Sequence, residues 1–163
     1  MTKQIMALLT MCLALAFVNA APAQEFKQPV AYPDGWRYWT HVKSMIVEEG
    51  NPAYRFAGGI HHIYANKAAL EALQNGTPYA DGSILVFDLL IAETNKDHTV
   101  SEGPRKLIGV MQKDAKKFAH SGGWGFAVFQ DDTKDQVPVN AKTCFKCHKP
   151  HEKTGYVISK WRK

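Results

Sequence analysis

The chain has 163 residues, 45% hydrophobic and 21% charged, with a formal net charge of +5. That is too apolar for a disordered chain and long enough for one domain with a real core. No nucleic-acid motif accompanies the small basic excess. The lysines Lys113, Lys116, Lys117, Lys142, Lys146, Lys149 and Lys153 therefore read as a solvated surface or as a face that steers an anionic partner protein.

In chain order, Lys3 precedes an apolar run over 5–18, and Ala21-Pro22-Ala23 fits a small-x-small cleavage pattern. A positive start, an apolar centre and a small-residue exit predict a secretory signal peptide over 1–23, leaving one domain over 24–163. Cleavage after Ala20 and after Ala23 both fit. Cys12 has no lipobox before it, which argues against a lipoprotein. The apolar run is short for a span and no second one follows, so no membrane association is expected after its removal.

Asp34-Gly35 is a turn signal. Trp36, Trp39, Val42 and Ile46 then share one face of a helical pattern over 36–47, broken by Gly50-Asn51-Pro52. A strand is predicted over 58–64, and Asn66 caps a short helix over 67–73. Asp81-Gly82 turns into the strongest strand, 83–92, which is rich in Ile, Leu, Val and Phe. A strand over 106–111, a short helix over 114–119 and a strand over 124–129 follow. A polar loop with Pro138 leads into a last helix, and the tail over 156–161 reads as a strand or a helix. Strands separated by short helices predict an α+β domain, mainly an antiparallel sheet. The long amphipathic helices of a four-helix bundle are missing from the pattern.

Only two of the three cysteines lie beyond the signal, in Cys144-Phe145-Lys146-Cys147-His148. C-x-x-C-H is the attachment signature of c-type haem. Two thiols on one helical turn reach the two vinyl groups of one porphyrin, and the adjacent imidazole becomes the proximal iron ligand. Two other readings stay open. One is a redox C-x-x-C, although such motifs normally open a helix after an early strand. The other is a zinc site on Cys144, Cys147, His148 and His151, in which adjacent Cys147 and His148 would crowd one ion. Haem attachment occurs outside the cytoplasm, which agrees with export to the periplasm. Fifteen residues follow His148 and none is Met. A sixth ligand, if there is one, must come from upstream: Met45, Met111, His41, His61, His62, His98 or His120.

Together these segments resemble the cytochrome P-460 and cytochrome c′-beta group. The resemblance is carried by residues 38–45, by Gly58-Gly59-Ile60-His61-His62-Ile63-Tyr64-Ala65-Asn66 and by Asp81-Gly82-Ser83. It continues through 113–118, Gly123-Trp124-Gly125-Phe126 and the terminal C-x-x-C-H. It implies an antiparallel β fold, often dimeric, with a five-coordinate haem on His148. It also implies two branches. In one, a lysine is crosslinked to the porphyrin, a distal carboxylate assists proton removal, and hydroxylamine is oxidised. In the other the crosslink is absent, the distal pocket is apolar, and small gases bind.

The resemblance places the crosslinking lysine five residues beyond Gly82, where this chain has Phe87, and no lysine occurs between Lys67 and Lys96. It places the carboxylate in 108–111, which contains no acid. Strand alternation points Asp88 away from Phe87's face. Phe87, and with it Phe56, is read either as an apolar lid over the iron or as core. The expected protein is a periplasmic mono-haem cytochrome that binds nitric oxide or carbon monoxide, more a gas-binding haem protein than an enzyme. The haem is bonded to Cys144 and Cys147, and the protein is a homodimer. Hydroxylamine oxidation and plain electron transfer with a redox partner protein are the alternatives.

Overall fold

Alternating and β-branched apolar residues put most of the chain into strands. The computed structural model describes residues 30–162, so the predicted signal peptide lies outside the described residues. The strands are β1 (Thr40–Val47), β2 (Gly59–Ala65), β3 (Ile84–Thr94), β4 (Val100–Lys113), β5 (Trp124–Gln130) and β6 (Gln136–Val137). They form one sheet in the order of the chain, each pairing antiparallel with its neighbours. The helices are short: α1 (Tyr54–Ala57), α2 (Lys67–Asn75) and α3 (Ala141–His148). This is the expected α+β architecture. Among the described residues no helix is long and apolar enough to cross a membrane.

The pleat sends alternate side chains to opposite faces, and each face builds its own core. On one, Ile63, Ala65, Leu85, Met111, Trp124 and Phe126 pack with α2 and with Cys144 and Phe145 of α3. On the other, Val86, Ile108, Val110, Ala127 and Phe129 pack with Val30, Trp36 and Phe118. Asp88 lies on this second side and is buried. It accepts from Arg105 Nε at 2.5 Å and from the second guanidinium nitrogen at 3.1 Å. The carboxylate next to Phe87 in sequence is thus committed to a structural ion pair on the opposite face.

Three elements depart from the sequence reading. The helix over 36–47 is instead a single 3-10 turn (Trp36–Tyr38) followed by β1. Its helical spacing is a coincidence: Trp36 packs on one face and Val42 on the other, across a register shift between His41 and Lys43. Pairing with β2 decides the matter, helped by Thr40, Val42, Ile46 and Val47. The helix over 114–119 is a turn, closed by Lys117 N donating to Asp114 Oδ1 at 2.8 Å, and then a 3-10 turn (Ala119–Ser121). The tail over 156–161 is neither strand nor helix. The short elements α1 and β6 carry no periodicity that a sequence reading can use.

Candidate haem site

The site is built around α3. Asn140 caps it, its side chain accepting from Lys142 N at 3.0 Å. One helix carries Cys144, Cys147 and His148 within about one turn. Neither cysteine is in a disulfide; Cys144 is half-buried against the apolar core and Cys147 is exposed. Burial pushes the Cys144 thiol's pKa up, so in the folded protein without a partner it stays a thiol.

Beyond His148 a 3-10 segment (Lys149–Thr154) ends at Gly155, whose φ of 66° turns the chain back. Trp124 Nε1 on β5 donates to Gly155 O at 2.9 Å and pins this turn to the sheet. The reversal carries the Tyr156 carbonyl to His148, where Nδ1 donates to it at 2.8 Å. A carbonyl only accepts, so Nδ1 holds the proton and Nε2 keeps its lone pair. A bond of this kind, on the nitrogen away from the metal, orients a metal-binding imidazole. Burial, the largest effect, lowers the His148 pKa, opposed by the Tyr156 bond and reinforced by His151; the ring is held neutral. It sits 5.1 Å from the Phe126 ring on β5.

Beside this lies a half-open apolar row across the sheet: Ile63, Phe87, Gly109 and Val128, in register on β2 to β5. Gly109 leaves a notch next to Phe87, since a side-chain carbon there would lie 3.5 Å from the phenylalanine Cβ. His61 stands in the next row, its ring 4.7 Å from that of Phe87. It is 7% exposed, and its Nδ1 is buried without a hydrogen-bond partner.

These residues fit a haem. Two free thiols and an oriented, neutral imidazole share one helix beside a notched apolar face. Among the described residues no group of three or more His, Cys, Asp or Glu is arranged to hold a metal ion, so the zinc alternative has no geometry behind it. A family model described as Cytochrome P460 matches residues 33–159. The chain belongs to the cytochrome P460 family. Its cofactor is accordingly haem, and this family member is a haem-binding cytochrome. No curated protein matches the chain.

In this cytochrome the five residues singled out from sequence do not all meet. Cys144 and Phe87 pack on one apolar cluster, with Cys147 and His148 on the same helix as Cys144. Phe56 stands apart on α1, 72% exposed and outside both clusters. Of the upstream ligand candidates, His41 and His62 lie on a polar chain, His41–Ser44–His62–Glu102, with contacts of 2.7–2.9 Å. His98 and His120 are exposed, Met111 is core, and Met45 is 41% exposed. Only His61 is buried beside Phe87. The Gly109 notch and the Tyr156 carbonyl leave no mark in the sequence, because each acts through backbone that the fold alone brings close.

Proposed function

We propose that this cytochrome is an exported periplasmic c-type protein whose single haem is bonded to Cys144 and Cys147. His148 is the proximal ligand, the sixth position is vacant, and the protein binds small gases, nitric oxide or carbon monoxide. The observation that carries the reading is Phe87. It stands mid-sheet in the half-open apolar row, at the position where the resemblance puts a crosslinking lysine in the enzyme branch. The row Ile63, Phe87, Gly109 and Val128 supplies neither the lysine nor a carboxylate.

When bound, a haem would be held by Cys144, Cys147 and His148 and would supply an iron able to take a small ligand. The chain's own residues do the rest. The Tyr156 carbonyl fixes the His148 ring plane and leaves Nε2 free to bind the metal. Phe87 and Ile63 exclude water and bulky ligands, while the Gly109 notch admits a small one. Without a donor in that row, dioxygen gains less than nitric oxide or carbon monoxide, which depend less on one.

A homodimer is part of the proposal. Ile46, Tyr54, Ile91 and Val100 are exposed around a cavity of about 250 Å³ that is also lined by Glu48, Glu49 and Lys106, and a second copy would cover these apolar side chains.

An absorption spectrum of the mature protein, with and without carbon monoxide, tests the function. A high-spin, five-coordinate ferrous spectrum that shifts on adding carbon monoxide is expected. A low-spin six-coordinate spectrum in both oxidation states, with no ligand binding, means an electron carrier. A haem–lysine peptide in mass spectrometry means the hydroxylamine-oxidising branch.

A further inference from the structure

The second row of the haem face contains a polar group that neither the haem attachment nor the apolar lid uses. His61 is 7% exposed, and its Nδ1 makes no hydrogen bond. Buried polar atoms in folded proteins are almost always partnered, and a lone one costs about 1–3 kcal/mol. The cost depends on which atom is left alone. An orphaned N–H donor is rarer in native structures than an unmet acceptor. The neutral ring therefore keeps its buried Nδ1 as a bare lone pair and carries its proton on Nε2, which is not among the buried unpartnered atoms.

The position of that N–H is set by the sheet. His61 pairs across β2 and β3 with Leu89, two residues along the strands from the Ile63–Phe87 pair and so on the same face, and its ring lies 4.7 Å from the Phe87 ring. On the β1 side it faces Met45, which offers no strong acceptor. The ring is held neutral down to about pH 4, first by burial, then by the charges of Lys43 and His62. It is therefore a donor with no acceptor among the described residues, fixed beside the lid of the gas site.

We propose that His61 is the hydrogen-bond donor to a small ligand bound on the Phe87 side of the haem. The inference rests on the gas-binding reading and refines it: the pocket is apolar over Phe87 and polar at one edge. Such an edge raises the residence of ligands that draw electron density from iron, dioxygen and nitric oxide, relative to carbon monoxide.

The test uses the exported holoprotein with carbon monoxide and dioxygen as probes, in wild type, His61→Leu and His61→Gln. The C–O stretch of the ferrous carbon monoxide complex is recorded by infrared spectroscopy, and dioxygen dissociation by stopped flow. Loss of one hydrogen bond predicts a higher C–O frequency and about three- to tenfold faster dioxygen release in His61→Leu. His61→Gln, which keeps a side-chain N–H, stays near wild type. Should the leucine variant misfold, His61→Phe, a ring with neither a donor nor an iron-binding atom, gives the same reading. An unchanged C–O stretch and dioxygen rate in a variant that still binds carbon monoxide overturns the role of His61 and leaves the gas site standing. A wild type that is six-coordinate and becomes five-coordinate on substitution makes His61 an iron ligand and overturns both. A wild type that binds no carbon monoxide, with an unchanged spectrum in every variant, overturns the gas site itself.

Discussion

At the scale of single residues, the chemistry turns on two imidazoles in opposite situations. His148 has its Nδ1 proton committed to a backbone carbonyl, whereas His61 is buried with nothing to bond. The first depends on Gly155. Its φ of 66° is the left-handed region, and a Cβ there would lie 2.8 Å from the Tyr79 ring. Gly155→Ala is expected to cost about 1–2 kcal/mol, read by thermal unfolding. By shifting the Tyr156 carbonyl it also changes the iron–histidine stretch in resonance Raman spectra. An unchanged stretch would mean that the carbonyl does not orient the ligand. The second imidazole ties stability to pH. The fold lowers the His61 pKa from 6.5 to about 4, so between those values the unfolded chain binds a proton that the folded one refuses. Stability is full above pH 6.5 and falls as the pH drops towards 4, by no more than about 3–4 kcal/mol. Melting curves of His61→Leu over the same range should show a shallower decline.

At the scale of elements, α3 and the strand pair β3–β4 divide the work. The helix gathers two thiols and an imidazole, which the proposed attachment would need within about one turn, so the signature is contiguous and legible along the chain. The strands would supply the wall of the proposed gas site, and there Gly109 opposite Phe87 is decisive. A Cβ at 109 meets Phe87 only in ordinary van der Waals contact, and a β-branched residue suits a strand. Gly109→Val is therefore expected to hold or raise stability, within about 1 kcal/mol. It should slow carbon monoxide association, measured by flash photolysis, because the notch is filled. Unslowed association would place the ligand elsewhere. The element that sequence misassigned, β1, shows the limit of periodicity. Trp36, Trp39, Val42 and Ile46 satisfy a helical spacing, yet the chain pairs with β2 and sends Trp36 and Val42 to different cores.

At the scale of the whole molecule, the sheet keeps two faces chemically distinct. One carries the candidate haem site. The other buries the Asp88–Arg105 pair, with Arg105 also meeting Asp132 and lying over the Trp36 ring. Arg105→Met strands a buried carboxylate and is expected to cost about 3–5 kcal/mol in denaturant unfolding. Haem attachment on the far face should survive wherever the variant folds. A loss below about 1 kcal/mol would mean that Asp88 finds another partner or water.

Local sequence was enough for the strongest strands, the α+β class and the Cys144-to-His148 motif on which the proposed haem attachment rests. Those depend on neighbours along the chain: a five-residue motif, alternation, a cap, a turn. Only the tertiary structure decided that residues 40–47 are a strand, that Gly109 opens a notch beside Phe87 and that Phe56 stands outside the cores. It alone singled out His61 among seven upstream candidates. Burial and cross-strand register belong to contacts between distant segments, and no local pattern encodes which side chain a fold will leave without a partner.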